Sequence, residues 1–418
     1  MTTEIDRQTR ILDAAERHFL ADGFERSSVE SIAKGAHVSK REIYRDWKSK
    51  ADLFVAVASR ILADNDVDLS TVHPQQDEMR SVLGFLARHL LDQFASDRSR
   101  DIFRASIAAI RDFPDVANDI HNRRLTAWVQ FGGYFEKLIA DDKIRVTSAA
   151  AAANRFGSLC IEGLRYLLSY PAPTESVQTV HGARMVDLFL NGYQAGNLPV
   201  DPTEESALTT CAAPLEARTP VEIRMSPEKQ SIMSDALLTE FLEKGYYHAN
   251  FAQVAGAIHA SKSSIYRQFG SKAGAFEQLV KRRVQQLADM EPFSLRSGET
   301  LNQTLVRLCR NILDRHLAPE NIAIIRALIE ESRTFPGLGQ IYYESRLQLT
   351  TRDLRAVLCK YEAAEPDDLA ISAFHILATY GSRFIAFPTP PEEDERAALS
   401  AEAASIFLIG VSGNRHSI

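Results

Sequence analysis

The sequence predicts an all-α protein that consists of two tandem copies of one helical unit, packed against each other as an intramolecular pseudo-dimer. Three observations lead to this fold class. Apolar residues recur at the three-and-four spacing of amphipathic helices, no stretch alternates long enough to argue for a sheet, and the second half of the chain repeats the first.

The first helix of each copy is predicted from residues such as Ile11, Ala15 and Phe19, which share one face of a helix, and Gly23 ends it. Further stripes of the same spacing follow in both halves. The connector, residues 197–226, is rich in Pro, Ser, Thr and Ala, a composition typical of an exposed linker.

The duplication holds at an offset of 222 residues through most of the chain and at an offset of 218 near its end. The repeat is therefore as long as a whole two-domain unit. Its clearest matches are Ile43-Tyr44-Arg45 with Ile265-Tyr266-Arg267, Ser49-Lys50-Ala51 with Ser271-Lys272-Ala273, Arg124-Leu125 with Arg346-Leu347, Phe113-Pro114 with Phe335-Pro336, and Phe189-Leu190 with Phe407-Leu408.

Composition excludes several classes of protein. The hydrophobic fraction of 45%, the charged fraction of 25% and the net charge of −7 are those of an ordinary globular protein rather than a basic DNA-coating one. No apolar run is long enough for a membrane span, and the polar N-terminus does not resemble a secretory signal. The four cysteines lie far apart, so we expect a cytoplasmic protein without a metal or another cofactor.

Two short helices joined by a tight turn are predicted between Ser28 and Trp47. Ser39 is a good N-cap for the second helix, and Ile43 lies on the face that points inward with Trp47. The basic and hydroxyl-bearing side chains remain on the outer face, as a helix-turn-helix that enters the major groove requires. Ser261 begins the equivalent helix in the second copy. Lys50 and Lys272 open the next helix of each copy, where a phosphate can bind.

Both segments resemble the DNA-binding domain of the TetR family of bacterial transcription regulators. The resemblance rests on Phe19 to Phe24 and Phe241 to Tyr246, on the hydroxyl-led second helix, and on Val38-Ser39 through Trp47 with its second-copy equivalent. It implies a helical ligand-binding and dimerising domain after each motif. The implied domains are 1–64 and 227–289 for the helix-turn-helix units, and 65–196 and 290–418 for the regulatory units.

His37 and His259 depart from the family pattern, because family members usually have glycine in the turn between the two helices. A positive φ angle is expected there, and histidine adopts it more readily than branched residues do. We therefore expect a mildly strained but intact turn in both copies.

The predicted site residues fall into two groups. The DNA-binding group is Ser28, Ser39, Lys40, Arg41, Tyr44, Arg45, Lys50, Asn250, Ser261, Lys262, Ser263, Ser264, Tyr266, Arg267 and Lys272. The small-molecule group is Trp128, Phe131, Phe156, Arg165, Phe374 and Arg383. Aromatic residues at helical spacing are more often core than pocket, and the aligned arginines are as well explained by internal ion pairs.

The predicted function is a ligand-responsive repressor that binds a pseudo-palindromic operator in double-stranded DNA, with further dimerisation of the chain allowed for. Arg41 and Glu42 can pair with guanine and cytosine edges, whereas Ser263 and Ser264 discriminate less, so an asymmetric operator is expected. The sequence lacks the motifs of metalloproteases, phosphate-binding loops and nucleophile elbows, so no enzyme is predicted. The alternative is a protein-interaction scaffold with one or both motifs vestigial.

Overall fold

The computed structural model describes residues 2–63, 79–111, 113–127, 129–146, 148–193, 226–381, 383–386 and 389–411. Within these ranges the chain is α-helical and contains no β-strand, which confirms the all-α part of the predicted fold class. The predicted linker, apart from residue 226, and the boundaries at 64/65 and 196/197 lie outside the described residues. The domain boundaries therefore stay predictions.

The helices of the first half are α1 (Thr2–Arg26), α2 (Val29–Ala36), α3 (Lys40–Asp46), α4 (Lys50–Ala63), α5 (Met79–Ala95), α6 (Asp97–Ala109), α7 (Pro114–Ala127), α8 (Val129–Ala140), α9 (Ala149–Ile161), α10 (Gly163–Leu167) and α11 (Glu175–Asn191). Those of the second half are α12 (Pro227–His248), α13 (Phe251–Ala257), α14 (Lys262–Phe269), α15 (Lys272–Ala288), α16 (Leu301–Leu317), α17 (Pro319–Glu330), α18 (Pro336–Lys360), α19 (Asp368–Thr379) and α20 (Glu393–Ile409), with a short 3-10 helix (Arg383–Ile385) before α20.

The first helix of each half is broken by a glycine. Gly23 has φ 78° and Gly245 has φ 76°, a region that residues with a Cβ rarely adopt. The break lets the chain turn from α1 into α2 and from α12 into α13. The expectation that Gly23 ends the first helix is confirmed.

Each helix-turn-helix unit is docked onto its regulatory unit through the matched Phe-Pro pair. The ring of Phe113 packs on Phe24 with centroids 4.9 Å apart, and Phe335 packs on Tyr246 at 5.2 Å. Pro114 and Pro336 then begin the helices α7 and α18, a position that suits proline because its missing N–H is not needed there. The repeated Phe-Pro motif therefore joins the two domains of each half.

The helices that meet across the two halves are counterparts of one another: α6 packs on α17, α9 on α19 and α11 on α20. Two backbone hydrogen bonds also join the two halves and are counterparts of each other. The Tyr193 amide donates to the Phe407 carbonyl and the Val411 amide donates to the Phe189 carbonyl, each at 2.9 Å. Matched contacts of this kind are those of a two-fold related interface.

Gly192 and Gly410 explain why the backbones of these two segments approach so closely. A Cβ on Gly192 would lie 2.5 Å from the Leu408 carbonyl oxygen, and one on Gly410 would lie 2.3 Å from that of Leu190. Glycine is therefore required at both positions by contact with the opposite half.

A buried arginine on α9 breaks this equivalence. Arg155 is 1% exposed and reaches the second half, where it pairs with Glu402 at 3.0 Å and donates to the carbonyls of Leu377 at 2.5 Å and Leu399 at 2.7 Å. The corresponding residue of the second half is Ala373. The contact between the halves thus includes an arginine that has no counterpart in the second half.

Among the described helices, none is long and apolar enough to cross a bilayer.

Candidate nucleic-acid interface

The predicted reading helix of the first copy, α3, begins with a reciprocal cap. The Ser39 hydroxyl accepts from the Glu42 amide at 3.3 Å, and the Glu42 carboxylate accepts from the Ser39 amide at 2.8 Å. Ile43 is 1% exposed and anchors the helix to the core. The remaining predicted side chains of this helix lie exposed on the opposite face: Lys40, Arg41, Tyr44 and Arg45.

The same geometry recurs in α14 with different chemistry. Ser261 accepts from the Ser264 amide at 3.1 Å, and its hydroxyl also contacts the hydroxyls of Ser263 at 2.8 Å and Ser264 at 2.7 Å. Ile265 is fully buried. The exposed side chains of this face are Lys262, Ser263, Tyr266 and Arg267, and Ser264 is half-buried.

The turn before each reading helix has the backbone conformation expected from the sequence. His37 lies at φ 56° and His259 at φ 51°. Both turns are closed by equivalent backbone hydrogen bonds, from Val38 to Ala33 at 3.0 Å and from Ala260 to Ala255 at 2.8 Å. The expectation of intact, left-handed turns at both histidines is confirmed.

Ser28 and Asn250 cap the helix that precedes the turn. The Ser28 hydroxyl accepts from the Ser31 amide at 3.0 Å, and the Asn250 side chain accepts from the Ala252 amide at the same distance. Both residues are exposed at a helix N-terminus, where the unpaired amides and the helix dipole favour an anion. Their contact with a DNA phosphate stays a prediction.

Lys50 and Lys272 lie at equivalent places over an aromatic ring. Lys50 Nζ is 4.4 Å from the Phe24 ring centroid and donates to the Ser27 carbonyl at 3.0 Å. Lys272 Nζ is 5.5 Å from the Tyr246 ring and donates to the Tyr247 carbonyl at 2.8 Å, and burial lowers its pKa. Both lysines therefore hydrogen-bond to the backbone near the end of the first helix of each copy. Their contact with a DNA phosphate stays a prediction.

Acidic side chains of the first copy pair with the cations of its reading helix. Lys40 pairs with Glu30 at 2.9 Å, and Arg45 pairs with Glu4 at 3.1 Å. The hydrogen bond that Lys40 donates to the Glu30 carboxylate raises the pKa of Lys40. A third ion pair, Arg7 with Asp46 at 2.7 Å, ties α1 to the end of α3.

The second copy lacks all three of these acids. The equivalent positions are Ser226, Ala252 and Gln268. Sequence reasoning missed the difference because the members of each ion pair lie on different helices and meet only in the folded domain. The signal was present in the duplication itself, since aligning the copies shows carboxylates in one and neutral residues in the other.

Comparison with known families agrees with the geometry of both units. The model for bacterial regulatory proteins of the tetR family matches residues 11–57 and 234–279. The model for the C-terminal domain of AefR-like transcriptional repressors matches residues 81–195 and 303–409, more than half of the chain. The chain belongs to the TetR family. It carries the family's two domains twice, in tandem.

Individual TetR-family proteins each match less than half of this chain. The DNA-binding transcriptional repressor TetR of Mycobacteroides abscessus is 30% identical over 82 residues, which cover 20% of this chain and 43% of that repressor. A TetR-family regulator from Mesorhizobium loti is 20% identical, with a TM-score of 0.37 over 44% of this chain and 96% of that one. NalD, the secondary repressor of the MexAB-OprM multidrug efflux pump in Pseudomonas aeruginosa, is 18% identical, with a TM-score of 0.34 over 44% of this chain and 96% of that one.

Two members of the predicted small-molecule group, Phe156 and Phe374, pack against other aromatic rings. Phe156 packs between Phe135 and Phe189, and Phe374 packs on Phe407 across 4.8 Å. Trp128 and the side chain of Phe131 lie outside the described residues.

The two predicted arginines of this group make internal contacts. Arg165 lies 3.8 Å from Glu162 and stacks over Tyr170, which fits the ion-pair reading of this residue. Arg383 lies over the Tyr380 ring at 5.1 Å. A ligand role for these residues stays a prediction.

Proposed function

We propose that the chain binds an operator as a single-chain pseudo-dimer and represses transcription in a ligand-responsive manner. The observation that carries the proposal is the pairing of equivalent helices across the two halves: α6 with α17, α9 with α19 and α11 with α20. A homodimeric regulator would need two chains to form such an interface. Here one chain supplies both sides.

Fusion changes the energetics of assembly. A second reading helix tethered by a linker has an effective concentration in the millimolar range, so its loss by dissociation is suppressed. The buried Arg155 strengthens this argument, because a guanidinium with three partners in the other half would be left unpaired if the halves separated. We infer that the halves do not function as independent monomers.

Two arginines link the regulatory units to the DNA-binding units of the opposite half. Arg333 donates to the Leu20 carbonyl at 2.8 Å and also pairs with Asp101. Its counterpart Arg111 pairs with Glu330 at 2.9 Å, and its guanidinium lies 2.5 Å from where a Cβ on Gly245 would be. A ligand that shifts either regulatory unit would therefore move both reading helices, which supports allosteric control of DNA binding.

The two reading helices would read DNA differently. Arg41 is exposed on α3 and has the geometry to bond the O6 and N7 atoms of guanine, whereas Ser263 at the same place in α14 discriminates less. The expectation that Glu42 reads cytosine is revised, because its carboxylate accepts from the Ser39 amide and hydroxyl and caps the helix. We propose an operator in which Arg41 specifies one half-site and the other is held mainly through its phosphates.

Native mass spectrometry of the chain mixed with DNA from its own upstream region tests the stoichiometry. We expect one chain per duplex, with half-site centres about one helical turn apart. Two chains per duplex would contradict the single-chain pseudo-dimer. No complex on that DNA, with random fragments behaving the same, would favour a distant operator or the alternative, a protein-interaction scaffold with vestigial motifs.

A further inference from the structure

A buried polar cluster lies inside the regulatory unit of the second half. Arg346 on α18 is 7% exposed, His316 on α16 is fully buried and His375 on α19 is 3% exposed. Three helices therefore each contribute one nitrogen-bearing side chain to the same interior site. None of these residues belongs to the DNA-binding surface or to the predicted small-molecule group.

Arg346 has no carboxylate partner in the described part of the chain. Its Nη2 donates to His316 Nδ1 at 2.7 Å, and its Nη1 is buried without a hydrogen-bond partner there. Asp353, the buried acid on the same helix, pairs with Arg315 and Arg352 instead. A guanidinium buried without an anion is strongly unfavourable, so the site as it stands lacks a counter-ion.

His316 adds a donor to the same site. Arginine has no acceptor atom, so His316 Nδ1 must accept and its proton must lie on Nε2. Burial and the neighbouring Arg346 lower the pKa values of His316 and His375 well below the usual range, so both rings are neutral. The Nε2 atoms of both histidines are buried without a partner.

We propose that the regulatory unit of the second half binds a small organic carboxylate, whose oxygens accept hydrogen bonds from Arg346 Nη1 and His316 Nε2. The proposal rests on the proposed ligand-responsive repressor and names the chemical class of its effector. Charge-assisted bonds from arginine to a carboxylate are the strong ones, and this pair would form away from water.

The first half does not repeat the cluster. It retains Arg124 at the position equivalent to Arg346, but Phe94 and Gly157 stand where His316 and His375 stand in the second half. Phe94 packs against Phe103 with ring centroids 5.2 Å apart. The His316 donor is therefore specific to the second half, which we assign as the half that senses the anion.

The cluster is one helical turn from a contact between the halves. Tyr343 lies three residues before Arg346 on α18, and Ser372 lies three residues before His375 on α19. Both hydroxyls donate to Oε1 of Glu162 in the first half, each at 2.8 Å. Movement of α18 and α19 upon binding would thus be transmitted to Glu162, which lies in the left-handed region at φ 44°.

Thermal unfolding of the full chain with sodium acetate, butyrate or benzoate tests the site, with the three neutral amides and sodium chloride at equal concentration as controls. We expect at least one carboxylate to raise Tm by about 2 °C or more at millimolar concentration. The matching amide and chloride should not. An equal shift with chloride would show a site for inorganic anions and overturn the proposal, as would no shift with any carboxylate.

Arg346→Met and His316→Phe should each abolish the shift. The exposed Arg355 on the same helix, changed to Met, should leave it intact. Arg346→Met should also unfold at or above the wild-type Tm without anion, because an unpaired buried charge is removed. His316→Phe keeps the test decisive if Arg346→Met does not fold. A shift that persists in either folded variant would overturn the assignment.

DNA binding distinguishes this proposal from the function on which it rests. If the chain binds its upstream DNA but does not respond to carboxylates, the proposed anion site is wrong and the proposed repressor function stands. If the chain responds to carboxylates but binds no DNA, the proposed repressor function is wrong and the anion site stands.

Discussion

The two reading helices have the same backbone and different electrostatics. In both, a serine caps the helix, an isoleucine anchors it and a left-handed histidine precedes it. In the first, Lys40 and Arg45 pair with Glu30 and Glu4, whereas Lys262 and Arg267 have alanine and serine at those partner positions. Duplication has preserved the shape of the site while its charges diverged.

This difference teaches that a cation count is a poor measure of affinity for DNA. A lysine that already pairs with a carboxylate must exchange that partner for a phosphate, and the carboxylate then repels the backbone. The first reading helix, α3, carries charges of both signs, and it has the exposed Arg41, for which we propose a base contact. The second carries fewer charges, all of them positive.

Charge reversal tests this comparison with the largest expected effect. Arg267→Glu should weaken binding to the upstream DNA about 100-fold, because a phosphate contact is lost and a repulsion is added. Arg45→Glu should weaken it only about tenfold, because Glu4 already offsets that charge. Fluorescence anisotropy at a fixed salt concentration measures both.

The control for these variants is an unchanged thermal unfolding curve, since both side chains are exposed. Equal losses in the two variants would contradict the electrostatic difference between the helices. No loss in either would contradict DNA binding through these motifs.

Exchange of one acid between the copies should have a smaller effect. Glu30→Gln should raise DNA affinity about threefold, because Lys40 becomes available to a phosphate, and should steepen the salt dependence by about one unit in the log–log slope. Ala252→Glu places the missing acid beside Lys262 and should do the reverse. Anisotropy titrations over a series of salt concentrations measure both slopes.

Glu30→Gln and Ala252→Glu serve as controls for each other, since they change equivalent positions of the two copies. If both variants change affinity in the same direction, the ion pair with Lys40 is not what separates the two helices.

Local pattern predicted the features that depend on local structure. The helical class, the outward face of each reading helix and the positive φ at His37 and His259 all follow from spacing, capping and turn chemistry within a few residues. The repeated Phe113-Pro114 was noticed in the sequence, but its role in docking the two domains required the structure.

Long-range pairs were beyond the sequence for a physical reason. Arg45 and Glu4 are 41 residues apart, and Arg155 and Glu402 are 247 apart, so their proximity is set by helix packing and by the contact between the halves. The cluster of Arg346 and His316 was missed likewise, because its two members lie on different helices and neither stands in a recognisable motif.

The cap of each reading helix gives the smallest predicted difference. Ser39→Ala removes the hydroxyl that accepts from the Glu42 amide but leaves the backbone amide of residue 39 bonded to the Glu42 carboxylate, so it should destabilise α3 by about 1 kcal/mol and make its amides exchange hydrogen about fivefold faster. Ser261→Ala removes the equivalent hydroxyl acceptor and should have a larger effect on α14, because no carboxylate accepts from the Ser261 amide to hold the start of that helix. Hydrogen–deuterium exchange of peptides from each helix measures the two effects separately within one chain.

Ser39→Thr should restore the slow exchange, since threonine keeps the capping hydroxyl. The reciprocal cap also explains why Glu42 is tolerated on the predicted DNA-binding face: its carboxylate accepts from the Ser39 amide, and that hydrogen bond lowers the pKa of Glu42. If Ser39→Ala and Ser261→Ala accelerate exchange equally, Glu42 contributes nothing to the cap. It would then again be a candidate for pairing with cytosine, as the sequence suggested.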